Sequence, residues 1–224
     1  MPRFGATALP LLLAAAVGIA GACAGRAPLL PEGPADTASP RAPDSFLVAF
    51  ETTKGPFTVM SRREWAPLGV DRFYDLVQRG FYDGVTFHRV LDGYVAQFGI
   101  TDSLEVNQAW RSRGLPDEPV VERNTRGRVA FARGGPRSRT AELFIDLSDN
   151  SPFLDTIRVG GVPGYPPIGE VSEGMENVAA FESRWADGPS IMEDSIAARG
   201  RSYLDRVFPG LDRILRATVV ESWP

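Results

Sequence analysis

The stretch of this chain that most constrains its fold runs from Gly80 to Gly99 and reads GFYDGVTFHRVLDGYVAQFG. It contains two runs rich in β-branched and aromatic residues, Val85–Leu91 and Tyr94–Phe98. The turn pair Asp92-Gly93 separates them. Two such runs around an Asp-Gly pair predict two antiparallel strands joined by a tight turn.

A charged side chain lies within the first of these predicted strands. Strict alternation along a strand places Arg89 on the same face as Phe87 and Leu91, and His88 on the opposite face. A guanidinium group among large apolar side chains costs free energy unless it has a partner or a function. We therefore interpret Arg89 as a candidate functional residue and His88 as structural.

The same stretch resembles the signature of the cyclophilins, a family of peptidyl-prolyl cis/trans isomerases in which a Phe-His-Arg strand supplies the catalytic arginine. Residues 127–155, GRVAFARGGPRSRTAELFIDLSDNSPFLD, are similar to the family's next strands and loops in the right order. Ile168–Val171 is similar to a later strand, so the resemblance covers residues 46–182 and resumes at the last strand, Ala217–Glu221. It implies a mainly β fold, a closed eight-stranded antiparallel β-barrel capped by two helices.

Residue patterns predict some elements of this fold directly. Phe46–Glu51 and Pro56–Met60 read as strands, and apolar residues at helical spacing predict a helix over 66–79. Residues 100–127 are polar and poorly periodic, which indicates a long excursion packed on the barrel. An extra C-terminal helix is expected near 190–207, and we interpret it as a structural insertion on the barrel surface.

The resemblance also implies which residues form the site. Arg89 falls on the arginine that hydrogen-bonds the substrate's prolyl carbonyl, and Gln97 on the glutamine that orients that arginine. Tyr94 and Phe144 complete the catalytic set that the resemblance implies. The implied substrate-binding residues are Val95, Ala132, Arg133, Glu142, Leu143, Phe153, Leu154 and Tyr165.

Departures from the family pattern leave two functions open. Glu142 replaces a glutamine, and Val95 replaces a larger methionine. These changes are compatible with a non-catalytic chaperone or a binding module for Pro-containing segments. Arg89, Gln97 and Phe144 match the family and favour an isomerase that assists the folding of exported proteins.

The N-terminal region predicts export. Ala6–Ala22 is an uncharged, Ala- and Leu-rich run that ends in small residues, so residues 1–22 read as a signal peptide. Cys23 follows directly, and the arrangement resembles the lipobox of bacterial lipoproteins, in which that cysteine is lipidated; a plain signal peptide cut nearby is the alternative.

Residues 23–45 carry five prolines and predict a disordered or polyproline-like linker. The resemblance implies that residues 46–224 form a cyclophilin-like isomerase domain. The expected location is the periplasm or cell envelope, as a membrane-anchored lipoprotein.

Composition limits the other function classes. The net charge of −4 gives no electrostatic reason to expect nucleic-acid binding. A catalytic triad or a histidine-rich metal site would have to use His88, the only histidine in the sequence, and its sequence neighbours support neither. We therefore expect a monomer that acts on Pro-containing polypeptides without a cofactor or metal and meets a membrane only through its lipid anchor.

Overall fold

The computed structural model describes residues 26–35 and 37–224. The predicted signal peptide and Cys23, the predicted lipidation site, lie outside the described residues. Among the residues described, no helix is both long enough and apolar enough to cross a membrane.

The described residues form ten strands and five α-helices. The strands are β1 Ser45–Thr52, β2 Phe57–Arg62, β3 Phe87–Leu91, β4 Val95–Phe98, β5 Arg128–Phe131, β6 Leu143–Asp146, β7 Arg158–Val159, β8 Val162–Pro163, β9 Pro167–Glu173 and β10 Ile214–Trp223. The helices are α1 Pro67–Arg79, α2 Leu104–Arg111, α3 Ser151–Leu154, α4 Met175–Ala179 and α5 Glu193–Val207. Eight strands form one antiparallel sheet in the order β10-β1-β2-β9-β5-β6-β4-β3, and β7 pairs with β8 in a separate hairpin.

The sheet curls into a barrel whose seam is short. Its two outer strands, β3 and β10, approach each other where Thr86 and Arg213 form an antiparallel bridge. Backbone hydrogen bonds on either side join Gly84 to Ile214 and Phe87 to Asp212, each at 2.9 Å. The prediction of a closed barrel was therefore overstated. Strand β3 pairs with β4, and β10 pairs with β1. A single bridge, and not a continuous ladder of hydrogen bonds, joins β3 to β10 at the seam.

Phenylalanine side chains dominate the interior of the barrel. They come from β1, β2, α1, β3, β4 and β5, and all are nearly inaccessible to solvent: Phe46, Phe50, Phe57, Phe73, Phe87, Phe98 and Phe131. The helix α1 confirms the one predicted over 66–79, and Gly80 ends it in the left-handed conformation at a φ of 73°. Burial of this aromatic set is the main source of stability for the scaffold that carries the outer face.

The excursion between β4 and β5 contains a helix that the sequence pattern did not predict. The α2 helix, Leu104–Arg111, is capped by Ser103, whose hydroxyl accepts a hydrogen bond from the backbone N–H of Val106 at 3.3 Å. Only Val106 and Trp110 of this helix are buried apolar residues. Two apolar anchors are too few to create a recognisable helical period.

The extra C-terminal helix is confirmed as α5, which follows a short 3₁₀ turn over Ser190–Met192. The helix is kinked at Gly200, whose φ of 61° lies in the left-handed region that favours glycine. Its buried face packs on Ile100 next to α2, and the buried residues are Ile196, Ala197, Tyr203 and Leu204. The insertion is therefore attached to the barrel by an apolar cluster of its own.

The described part of the Pro-rich segment lies along the domain. The indole N–H of Trp110 donates to the carbonyl of Leu29 at 2.9 Å, and Arg79 donates to the carbonyl of Pro28 at 2.6 Å. Ala42 is buried near the start of β1. Arg79 and Trp110 therefore satisfy backbone carbonyls of this segment.

A buried carboxyl group lies at the end of β6. Asp146 is inaccessible to solvent, and its Oδ1 accepts a hydrogen bond from the side chain of Asn150 at 2.6 Å. Its Oδ2 has no hydrogen-bond partner among the described residues. Burial raises the pKa of Asp146 to about 8, although the hydrogen bond from Asn150 opposes the shift.

This pKa predicts how stability depends on pH. The unfolded pKa is about 3.9 and the folded pKa is higher, so the stability from this group is complete below about pH 4 and is lost as the pH rises towards 8. We expect Asp146→Asn to gain free energy of unfolding relative to the parent from pH 5 to pH 8, by up to about 1.4 kcal/mol per pH unit. Urea unfolding at several pH values measures this difference. Asp92→Asn, at an exposed position in the β3–β4 turn, is the control, and identical pH slopes for all three proteins would contradict the prediction.

Candidate active site

A β-bulge in β3 decides which side chains reach the outer face of the barrel. Phe87 lies opposite Phe98 of β4, and Arg89 lies opposite Gln97, the residue next to Phe98. Two steps along β3 thus correspond to one step along β4, so His88 is an extra residue in the strand. Phe87 therefore points into the core while Arg89 is partly exposed outside. The expectation from strict alternation, that Arg89 and Phe87 share a face, was wrong because the bulge shifts the alternation by one residue.

The bulge also changes the position of His88. Its Nε2 lies 3.7 Å from a carboxylate oxygen of Glu142 and 3.8 Å from one of Glu193. Both glutamates line the same pocket as Arg89. The prediction that His88 points away from the side occupied by Arg89 was therefore wrong.

Register across two further strand pairs aligns the remaining site residues. Gln97 in β4 is opposite Phe144 in β6, and Phe144 is opposite Ala130 in β5. Residues directly opposite each other on neighbouring strands present their side chains to the same face. One row across the sheet thus carries the guanidinium group of Arg89, the amide of Gln97 and the aromatic ring of Phe144, and it ends at Ala130.

This row opens into a concave pocket of about 320 Å³. Ten of the twelve site residues expected from the sequence line it, namely Arg89, Tyr94, Val95, Gln97, Ala132, Arg133, Glu142, Phe144, Leu154 and Tyr165. Val95, Phe144 and Leu154 pack together with Ala130 in an apolar cluster separate from the barrel core. The ring of Tyr165 meets Phe144 edge-to-face at 5.5 Å and forms one side of this cluster.

Two expected site residues lie elsewhere. Leu143 precedes Phe144 in β6, so it points to the other face and is fully buried in the barrel core. Phe153 lies on α3 outside the pocket and is 53% exposed. The assignment of Leu143 to substrate binding was therefore wrong, because the alternation of β6 directs its side chain inward.

Sequence reasoning missed several residues that line the pocket. Gly134, Ser138 and Thr140 belong to the loop between β5 and β6, and Glu193 is the first residue of α5. No periodicity marks the loop residues, and the similarity of residues 127–155 to the family did not assign them to the site. An acidic residue at the start of a helix is usually explained by the helix dipole, so Glu193 carried no separate signal.

Polar contacts connect the row to the C-terminal insertion. The Nε of Arg89 donates to Asp187 at 2.5 Å, and its Nη1 donates to the side-chain oxygen of Gln97 at 3.4 Å. The amide nitrogen of Gln97 in turn donates to Glu142 at 3.1 Å. Asp187 lies just before the predicted insertion. Glu193 lies within the insertion and lines the pocket, so the interpretation of the insertion as a purely structural addition was incomplete.

Burial and neighbouring groups shift the pKa of Glu142. Burial raises the pKa of Glu142, and the negative charge of Glu193 adds to this effect. His88 and the hydrogen bond from Gln97 act in the opposite direction. A carboxyl group stands here at the inner wall of the pocket, close to both an imidazole and a second carboxyl group.

The side chain of Arg133 belongs to the wall of the pocket. Its Nη2 donates to the carbonyl of Val162 at 2.8 Å, and its guanidinium group lies 5.1 Å from the ring centre of Tyr165. Burial lowers the pKa of Arg133. The guanidinium group of Arg133 is therefore held within the protein. The guanidinium group of Arg89, in contrast, lies beside Gln97 and Tyr94, which line the pocket next to the apolar cluster.

Comparison with known proteins identifies the family. A family model described as "Cyclophilin type peptidyl-prolyl cis-trans isomerase/CLD" matches residues 47–198, more than half of the chain. The chain belongs to the cyclophilin-type peptidyl-prolyl cis/trans isomerase family. The resemblance found in the sequence is thereby confirmed.

Individual relatives agree with this membership. Peptidyl-prolyl cis-trans isomerase B of Escherichia coli is 29% identical over 179 residues, which cover 78% of this chain and 99% of the relative. Peptidyl-prolyl cis-trans isomerase A of Dickeya dadantii is 34% identical over 130 residues, covering 58% of this chain and 67% of the relative. The crystal structure of a Cryptosporidium parvum cyclophilin type peptidyl-prolyl cis-trans isomerase covers 80% of this chain and 99% of its own, with 16% identity and a TM-score of 0.58, and thus shows the same fold.

Proposed function

We propose that this cyclophilin catalyses rotation about Xaa-Pro bonds of flexible or unfolded polypeptides in the pocket on its outer face, with Arg89 as the catalytic residue. The observation that carries the proposal is the row Arg89, Gln97 and Phe144 across β3, β4 and β6. It places a hydrogen-bond donor with a permanent positive charge beside an apolar surface large enough for a proline ring.

The chemistry of the reaction requires these two parts and no nucleophile. Rotation about an Xaa-Pro bond breaks amide resonance and meets a barrier of about 20 kcal/mol. In the twisted amide the nitrogen regains its lone pair. A donor placed at the proline lowers the barrier only if it interacts more strongly with the twisted amide than with either planar form.

The residues divide these tasks. Val95, Phe144 and Leu154 hold the proline ring in the apolar cluster. The guanidinium group of Arg89 donates to the substrate beside that ring. Gln97 acts as a positioning residue, since its side-chain oxygen accepts a hydrogen bond from Arg89 and limits the rotation of the guanidinium group.

The experiment that tests this function compares rates of prolyl isomerisation. We expect the parent to accelerate cis-to-trans conversion of a short Ala-Pro peptide, measured by exchange NMR. Removing the donor in Arg89→Ala should lower kcat/KM by about 100-fold or more, because removing one preorganised donor from an active site typically costs 10² to 10³. Arg89→Lys should recover part of the loss, since it restores a charge without the planar fork.

Arg216→Ala is the matched control, because Arg216 is an exposed arginine on β10 and does not line the pocket. It should retain the parent's kcat/KM. Full activity in a folded Arg89→Ala variant would refute the assignment of Arg89. A folded parent that matches the uncatalysed rate would instead support the alternative of a non-catalytic binding module.

We further propose that the protein works on exported polypeptides from a lipid anchor at Cys23. The apolar run Ala6–Ala22 and the small residues before Cys23 support this location. In the native bacterium, the parent should partition into the detergent phase after Triton X-114 extraction, whereas Cys23→Ser should remain in the aqueous phase. Equal partitioning of the two proteins would contradict lipidation at Cys23.

A further inference from the structure

Three potential metal ligands converge at the inner side of the pocket. They are His88 on the β-bulge, Glu142 just before β6 and Glu193 at the start of α5. One ligand atom from each lies within 4.8 Å of the other two. The three residues come from separate parts of the chain, so only the folded protein brings them together.

The imidazole of His88 provides an independent observation. His88 is 1% exposed, and neither ring nitrogen makes a hydrogen bond within the described part of the chain. Its Nε2 is directed at the two carboxylates, at 3.7 Å from Glu142 and 3.8 Å from Glu193. Buried polar groups without a partner cost free energy and are rare in folded proteins, so this arrangement calls for a ligand.

The spacing fits a cation between the three groups better than hydrogen bonds among them. Hydrogen bonds between nitrogen and oxygen atoms span about 2.7 to 3.2 Å, which is shorter than either separation. Zinc binds imidazole nitrogen and carboxylate oxygen at about 2.0 to 2.2 Å, so neighbouring ligand atoms in a tetrahedral site lie about 3.4 Å apart. Small side-chain rotations would close the difference, and the half-exposed Glu193 has room to make them.

We propose that His88, Glu142 and Glu193 form a zinc-binding site at the inner wall of the cyclophilin pocket. One imidazole and two carboxylates are a donor set that zinc accepts, and they leave a fourth position open to water or to a group in the pocket. A divalent cation would also offset the repulsion between the two adjacent carboxylates.

The site would connect the insertion to the catalytic row. Glu193 is the first residue of α5, whereas Glu142 accepts a hydrogen bond from Gln97, the neighbour of Arg89. A zinc ion shared by Glu193 and Glu142 would fix the start of α5 against the barrel. Zinc binding itself requires no isomerase activity, so the proposal stands or falls independently of the assignment of Arg89.

The test measures zinc binding to the untagged full chain by calorimetry with zinc chloride in a phosphate-free buffer. Cys23→Ser serves as the background, because it removes the only thiol and leaves His88 as the only imidazole in the sequence. We expect one zinc ion per chain and a higher melting temperature with zinc. Glu193→Gln should weaken zinc binding at least tenfold, and a cobalt complex of the parent should show the visible absorption of a low-coordinate site.

Control variants separate this site from surface binding. Asp194→Asn changes the neighbouring carboxyl group, whose side chain is 99% exposed, and should bind zinc like the parent. Glu142→Gln should lose affinity as Glu193→Gln does. Absence of zinc binding, equal binding by the Glu193→Gln variant, or equal affinity for magnesium and calcium would each overturn the proposal, since the hard cations do not select for an imidazole ligand.

Discussion

Phe87 and Arg89 face consecutive residues of the neighbouring strand, Phe98 and Gln97, so His88 between them has no partner in the ladder, and this β-bulge sets the geometry of the whole site. It lets β3 fill the core with Phe87 and still present Arg89 outward two residues later. A bulge leaves one residue out of the strand ladder and increases the local twist. That extra residue is His88, so the same distortion that orients the candidate catalytic arginine also turns an imidazole towards the carboxylates of the pocket.

The segment around the start of α5 adds two acidic residues to the pocket region of the cyclophilin fold. The α5 helix is attached through its own apolar cluster on Ile100, and the residues at and before its start bring Asp187 to Arg89 and Glu193 to His88. The guanidinium group is thus held between Asp187 and Gln97. The segment at the start of α5 therefore contributes an ion-pair partner to the guanidinium group at the pocket.

Elements with strong local sequence patterns could be predicted from the sequence, whereas contacts that depend on the tertiary structure could not. The α1 helix followed from helical spacing ended by Gly80, and most pocket residues followed from resemblance to a family. No residue pattern marks the bulge at His88, so the assignment of faces from strict alternation was wrong at this point of the strand. Likewise, the approach of Glu193 to His88 spans about a hundred residues of sequence and depends on how α5 packs, which no local pattern encodes.

The most direct test of the account is a crystal structure of the protein with a short Ala-Pro peptide bound. We expect the proline ring to lie against Phe144 and Leu154 and the guanidinium group of Arg89 to donate to the peptide beside the proline. In that complex Gln97 should still contact Arg89. A peptide bound elsewhere on the barrel, or one bound in the pocket without contact to Arg89, would contradict the account.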